Sequence, residues 1–203
     1  MITSAEMMEL ERNSGIPVAV LMENAGKAIA DAIKEKQDIK NKKILVAAYH
    51  GNNGGDGFVA ARYLCDDASV DVLFLGDEKR LKHEAALNYK KIVDNIRIQF
   101  VDEDEVDFDD YDIIVDAMLG TGIQGPLKES LRQAIRGINQ STAFKVSVDI
   151  PSGMDPDTGN VEYAAVEADL ILCFHDLKAG LKGMEGKTEI LDIGIHKESQ
   201  QQD

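Results

Sequence analysis

The run Gly51-Asn52-Asn53-Gly54-Gly55-Asp56-Gly57 constrains this chain more than any other, with four glycines, two asparagines and one aspartate in seven consecutive positions. It follows Lys42-Lys43-Ile44-Leu45-Val46-Ala47-Ala48, an apolar run of strand length, and precedes Phe58-Val59-Ala60-Ala61-Arg62-Tyr63-Leu64, which reads as a helix. A glycine-rich segment that leaves a strand and opens a helix belongs to a βα unit. Glycines let backbone N–H groups crowd together, and a helix N-terminus adds partial positive charge, so such a junction suits phosphate or another anion. The competing reading is a tight turn without a ligand. One glycine suffices for that, and this segment has four.

The same strand–helix alternation runs through the chain. Ser4 is expected to cap a helix reaching Asn13, with Met7, Met8 and Leu10 available to pack, and Gly15-Ile16-Pro17 ends it. From Val18 to about Lys36 apolar residues recur at three- and four-residue steps, with Gly26 predicting close approach to another backbone. Asn24 in that helix is open to two readings, inward-facing or on the surface. Strands are expected over 43–49, 70–75, 97–101, 113–119, 143–150, 169–174 and 188–193, with helices over 78–94 and 127–139. Residues 102–110 carry seven acids in nine positions; the spacing fits no calcium loop and reads as a solvated acidic segment. The tail from Lys197 is expected to fray. Central strands that are apolar almost throughout indicate a mostly parallel sheet covered on both faces, an α/β fold. With no linker, repeat or composition break, residues 1–203 form one doubly wound domain, whose ligands bind past the carboxyl ends of the strands.

Charge narrows the ligand. Lys and Arg number 22 against 37 Asp and Glu, a net charge of −15. That excludes the basic footprint of a nucleic-acid binder and leaves any anionic ligand to be held by local donors. No stretch of about 18 apolar residues predicts a membrane span, and Met1-Ile2-Thr3-Ser4-Ala5-Glu6 has no basic leader. Cys65 and Cys173 are expected as buried, reduced thiols of a cytoplasmic protein.

A second glycine motif, Gly120-Thr121-Gly122-Ile123-Gln124-Gly125 before Pro126, matches G-x-G-x-x-G between a strand and a helix, and Asp149 follows Gly125 by 24 residues at the end of the next strand. It resembles a dinucleotide fingerprint with two departures. It sits in the middle of the chain, and Asp116, four residues before Gly120, would repel a pyrophosphate. A cation would remove that conflict. The Asn53 side-chain carbonyl, the Asp116 carboxylate and the Ser152 hydroxyl offer hard oxygens with one formal negative charge, which suits a weakly charged ion better than zinc or iron. Taken singly, these residues read as a turn asparagine, a buried aspartate satisfied by N–H groups and a capping serine.

Together with Leu21-Met22-Glu23-Asn24-Ala25-Gly26, Val115-Asp116-Ala117-Met118-Leu119-Gly120-Thr121-Gly122 and Val148-Asp149-Ile150-Pro151-Ser152-Gly153-Met154-Asp155, these motifs resemble the NAD(P)H-hydrate epimerase family, the YjeF N-terminal domain. The resemblance implies a Rossmann-like three-layer α/β/α sandwich and a homodimer. It implies that Asn52, Asn53, Gly54, Gly55, Asp56, Gly120, Thr121, Gly122, Ile123, Gln124, Gly125, Pro126 and Asp149 contact a hydrated nicotinamide nucleotide. It further implies potassium held by Asn53, Asp116 and Ser152, and an isomerase that interconverts the R and S forms of hydrated NADH or NADPH. Members often carry Phe-Gly-x-Pro-Lys-x-Gly after the sixth strand; here it reads Phe174-His175-Asp176-Leu177-Lys178-Ala179-Gly180, which keeps Lys178 and Gly180 and lacks the proline. The fused dehydratase domain of many relatives is not expected within 1–203, so the dehydratase partner is expected to be a separate protein.

The hydrated ring carries a hydroxyl on the carbon next to the ring nitrogen. Inverting that carbon needs either loss of hydroxide and return of water to the other face, or ring opening and reclosure. Both routes require a proton donor and a proton acceptor. Asp149, at a strand end beside two glycine loops, is the first candidate and Lys178 the second, against a reading of Lys178 as a snorkelling surface cation. An NAD(P)-dependent oxidoreductase and a non-catalytic nucleotide-binding module would use the same loops.

Overall fold

The computed structural model describes residues 1–100, 106–122 and 125–195. The strands are β1 (Lys43–Ala48), β2 (Ser69–Phe74), β3 (Arg97–Phe100), β4 (Ile113–Ala117), β5 (Phe144–Val148), β6 (Leu170–Phe174) and β7 (Thr188–Leu191). They form one sheet in the order β3-β2-β1-β4-β5-β6-β7. Where a mostly parallel sheet was expected, all six strand pairings are parallel. The chain steps outward from β1 to β3, then returns to β4 on the other side of β1. Connections therefore diverge between β1 and β4, and a crevice opens above their carboxyl ends.

Period-two alternation in the strands supplies both faces. Ile44, Val46 and Ala48 join Ile29 and Ile33 of α2 (Val18–Lys36) and Phe58, Ala61 and Leu64 of α3 (Asn52–Leu64) in one core. Leu45, Ala47 and Ile114 point the other way, onto Leu131, Ala134, Ile135 and Ile138 of α5 (Glu129–Gln140). This is the expected three-layer arrangement. The predicted close approach at Gly26 is real, since a Cβ there would lie 2.3 Å from Val59 Cβ in α3. Asn24 faces inward enough for Nδ2 to donate to the Ile193 carbonyl at 2.9 Å, tying α2 to the segment after β7.

Several boundaries move for local reasons. The helix α1 (Ser4–Asn13) is capped by Thr3, not Ser4: Thr3 Oγ1 accepts from the Glu6 N–H while the Glu6 carboxylate accepts from the Thr3 N–H at 2.8 Å. Ser4 is thereby free to donate through its backbone N–H and hydroxyl to Asp157, at 2.7 and 2.9 Å. The helix expected over 78–94 is two pieces, a 3₁₀ turn at Glu78–Arg80 and α4 (His83–Ile92), because Leu81 and Lys82 turn extended and the Lys82 N–H donates to the His50 carbonyl at 3.2 Å. Cys65 was expected buried and is exposed at the C-cap of α3; Cys173 in β6 is buried. Val101, acids 102–105, Ile123, Gln124 and the tail from Lys197 lie outside the described residues. No helix among the described residues is long and apolar enough to cross a membrane.

Candidate active site

A cleft of about 480 Å³ lies across the carboxyl ends of the sheet, within the usual range for small-molecule sites. Its floor begins at α3. The expected loop is largely helix: α3 starts at Asn52, six residues before Phe58, and only Gly51 stands outside it as the N-cap. That position has no side-chain cap, so the first N–H groups of α3 are left for a ligand. The glycines inside the helix serve packing. A Cβ on Gly54 would lie 1.8 Å from the Tyr49 carbonyl oxygen, one on Gly55 2.5 Å from the end of Met22, and one on Gly57 2.6 Å from Ala117 Cβ. They let α3 settle on β1 and β4, which brings its N-terminus onto the strand ends.

Of the residues expected to touch the nucleotide, Asn52, Asn53 and Asp56 line the cleft from α3; Gly120, Thr121, Gly122, Gly125 and Pro126 line it from the loop after β4; Asp149 lines it from the end of β5. Gly54 and Gly55 are buried in the first turn of α3, outside the cleft lining. The G-x-G-x-x-G loop does not open its helix, because α5 begins only at Glu129. The helix aimed at the crevice is α3, at the point where the connections diverge.

Beneath the cleft floor, the three candidate cation ligands converge. Asp116, next to last in β4, has no exposure. Its Oδ1 accepts from Ser152 Oγ at 2.5 Å and from the Met118 N–H at 3.3 Å, and Oδ2 accepts from the Ser152 N–H at 2.8 Å and from Ser147 Oγ at 2.9 Å. Asn53 sits against Gly120, which lacks the side chain that would crowd its Oδ1, and its Nδ2 reaches the Val148 carbonyl at 3.4 Å. Among the described residues every donor to Asp116 is neutral, and burial raises its pKa against the pull of those hydrogen bonds. A buried carboxylate lacking a cationic partner, beside an amide oxygen, a hydroxyl and the Leu119 carbonyl, is a donor set that fits one monovalent hard cation. Among the described residues no cluster of three His, Cys, Asp or Glu forms a site for a transition metal.

Asp149 and Lys178 form the other polar centre. Lys178 Nζ lies 2.8 Å from Asp149 Oδ1, which accepts no other hydrogen bond from the described residues, and donates to the Phe174 carbonyl at 2.9 Å. The lysine has no exposed surface, so the snorkelling reading is wrong. Burial pulls its pKa down, but the charge of Asp149, with Cys173, outweighs that and leaves it raised. Asp149 itself is held at φ 66°, with its N–H donating to Leu172 O at 2.7 Å and the next N–H folding back on Val148 O at 2.8 Å. His175 repeats this turn one strand over: φ 64°, its N–H on Leu191 O at 2.9 Å and the next on Phe174 O at 2.7 Å. At the position of the missing proline the loop carries a hydrogen bond instead. Leu177, in its place, has an N–H, and the Asp176 carboxylate accepts it at 2.8 Å.

Other groups on the cleft were not assigned a role from sequence. Met8 and Glu11 come from α1, pinned there because Ile2 pairs with Lys178 in a parallel bridge and Ser4 bonds Asp157. His50, Arg80 and Lys82 come from the ends of β1 and β2, and Lys128 from the start of α5. Burial, then the charge of Asp149, raises the pKa of Glu11; the same two causes in the same order raise Asp56 well above the aspartate range. The cleft thus pairs carboxyls inclined to keep a proton with a carboxylate ion-paired to a buried lysine, the arrangement of an acid and a base in one site.

The family described as YjeF-related protein N-terminus matches residues 18–180. The chain is 35% identical over 210 residues to a protein of Nitrosopumilus maritimus named NAD(P)H-hydrate epimerase, covering 98% of each. It is 43% identical over 194 residues to the bifunctional NAD(P)H-hydrate repair enzyme Nnr of Methanothermobacter thermautotrophicus, covering 89% of this chain but 37% of that longer protein. The crystal structure of yeast YNL200c superposes with a TM-score of 0.80 over 94% of this chain and 86% of its own, at 23% identity, which matches the fold.

Proposed function

This chain belongs to the family of YjeF-related protein N-termini, and from that premise we propose that it interconverts the R and S epimers of hydrated NADH and NADPH. The observation that carries this reading is the Asp149–Lys178 ion pair facing a cleft that crosses the carboxyl ends of β2, β1, β4 and β5. A dinucleotide lies across those ends with its diphosphate over the N-terminus of α3 and its damaged ring at Asp149. Asp149 exchanges a proton with the carbinolamine; Asp56 or Glu11 supplies the complementary acid. Lys178, without access to the cleft, positions Asp149 and balances its charge.

What supports potassium at Asn53, Asp116 and Ser152 is the buried, neutrally hydrogen-bonded Asp116 carboxylate and the oxygen donors around it. Bound there, the ion would supply the positive charge that offsets Asp116 beneath the glycine loop. The family resemblance extends the proposal to a cytoplasmic homodimer, which sedimentation equilibrium checks, working alongside a dehydratase activity that consumes one epimer.

The test is chiral chromatography of one purified hydrate epimer incubated with the protein in potassium and in tetramethylammonium buffer. The expected result is equilibration to both epimers, faster in potassium, with the absorbance of the reduced-nicotinamide band constant; a change in that band would indicate an oxidoreductase instead. Asp149→Asn removes the proton acceptor while asparagine tolerates positive φ, but it strands a buried charge on Lys178, worth about 3–5 kcal/mol. The double variant Asp149→Asn, Lys178→Met removes both charges and isolates the chemistry. Wild-type equilibration rates in a folded double variant would exclude Asp149 as the proton-transfer group.

A further inference from the structure

The end of β2 decides what sits at the far side of the cleft from Asp149. In a sheet of this topology that strand end meets the second ribose of a bound dinucleotide, where an acidic side chain accepts a free 2′-hydroxyl and a cationic one receives a 2′-phosphate. The segment after β2 offers both kinds: Asp77, Glu78, Arg80 and Lys82. The acids are already engaged. Asp77 caps the 3₁₀ turn, its carboxylate accepting from the Lys79 N–H at 2.9 Å, and Glu78 accepts from the Tyr89 hydroxyl at 2.5 Å. Arg80 and Lys82 line the cleft instead; among the described residues neither forms a salt bridge, and Glu11 on the same cleft acts on Lys82 only through its charge.

The surroundings reinforce this. The break in the helix after Arg80 lets the Lys82 N–H bond the His50 carbonyl, drawing the end of β2 against the end of β1. His50 lies on the Tyr49 ring with centroids 3.9 Å apart, and Lys128 Nζ approaches the same ring to 5.7 Å from across the cleft. Burial, then Arg80, then Lys128 depress the protonation of His50 against a smaller opposing pull from Asp77, so cations outweigh anions at this end of the cleft. In a chain of net charge −15, such a concentration is a local exception to the overall field.

We propose that Arg80 and Lys82, with Lys128 on the opposite rim, form a phosphate site that makes this protein selective for the 2′-phosphorylated dinucleotide hydrate over the unphosphorylated one. This rests on the nucleotide reading given above and adds to it a preference between its two substrates. Three strand spacings of about 4.8 Å separate the ends of β2 and β5, about 14 Å, so the site is remote from the reacting carbon and acts on binding.

The experiment measures kcat/KM for epimerisation of hydrated NADPH and hydrated NADH by the wild type and by the Arg80→Ala, Lys82→Ala variant, alongside calorimetric titration of both proteins with adenosine 2′,5′-bisphosphate and adenosine 5′-monophosphate. The wild type is expected to favour the phosphorylated hydrate at least about tenfold, as charge-assisted contacts to a phosphate allow. The variant is expected to lose most of that ratio, through KM, with less than about threefold change for the unphosphorylated hydrate. Equal kcat/KM for the two hydrates in the wild type, or equal losses in the variant, would overturn the inference while leaving the epimerase reading intact. Preferential binding of the bisphosphate, lost in the variant, by a protein that epimerises neither hydrate would support the phosphate site and sink the epimerase reading.

Discussion

Asp149 and His175 sit side by side at the ends of β5 and β6, and both hold positive φ closed by an N–H that folds back two residues. For Asp149 the strained turn has a use, since it presents the carboxylate to the cleft. His175 gains nothing comparable, and its Nε2 is buried without a hydrogen-bond partner among the described residues. Glycine, the residue that relatives often place there, accepts this conformation freely. His175→Gly is therefore expected to raise stability by about 0.5–1 kcal/mol, the cost of a side chain in the left-handed region less the added freedom of the unfolded chain. Urea unfolding measures it; a lower midpoint would mean that the histidine ring contributes packing exceeding its strain. At this scale the sequence was informative where chemistry and position coincide. Asp116 and Asp149 stand at strand ends, Asn53 and Ser152 follow strand ends within a few residues, and strand ends can be read. Glu11 could not be found that way, because it reaches the cleft only through contacts from Ile2 to Lys178 and Ser4 to Asp157, more than 150 residues away in sequence.

The helix α3 shows why boundaries were harder to read than elements. Its first six residues look like a loop by composition, since glycine and asparagine are poor helix formers. They are helical because contact with β1 and β4 leaves no room for side chains: Gly54 rests on the Tyr49 carbonyl and Gly57 on Ala117. Packing overrides propensity. Gly54→Ala should then destabilise by at least about 2 kcal/mol, because the obstacle is backbone that no rotamer change can clear, lowering Tm by roughly 4–8 °C for a domain of this length. Gly51→Ala is the matched control: its Cβ would meet nothing within 4 Å, and Tm is expected to stay within about 1 °C. Equal shifts for the two would mean that conformational freedom, not space, explains these glycines. The broken helix after β2 is a similar case. Periodicity over 78–94 was legible, but the bond from Lys82 to His50 that interrupts it is tertiary.

The whole molecule brings Glu11, Asp56 and Asp149 to one end of the sheet. Glu11 and Asp56 have pKa values raised by burial and by neighbouring carboxylates, so the folded protein binds protons there that the unfolded chain releases. The slope of stability with pH is negative wherever the native state holds more protons. Stability is expected to increase as pH falls from 8 toward about 5, just above the ordinary carboxylate range. Below that range the trend reverses, as Asp112 and Asp155, whose pKa values hydrogen bonds lower, lose those bonds on protonation. Thermal melts across pH 4–8 test this, and a Tm that climbs steadily to pH 8 would contradict it. The fold class and the convergence of three loops were legible because parallel strands alternating with helices admit few topologies.

Because every strand points the same way, the sheet has one working rim and one idle rim. At the idle rim Asp112 takes the Lys43 N–H at 2.9 Å and Lys42 Nζ at 2.8 Å, and Asp169 takes the Lys145 N–H at 2.8 Å. These latches fasten strand beginnings that no substrate visits. Sequence change can accumulate there under selection for sturdiness alone, so an engineer seeking a hardier protein has an entire edge to rebuild without disturbing turnover.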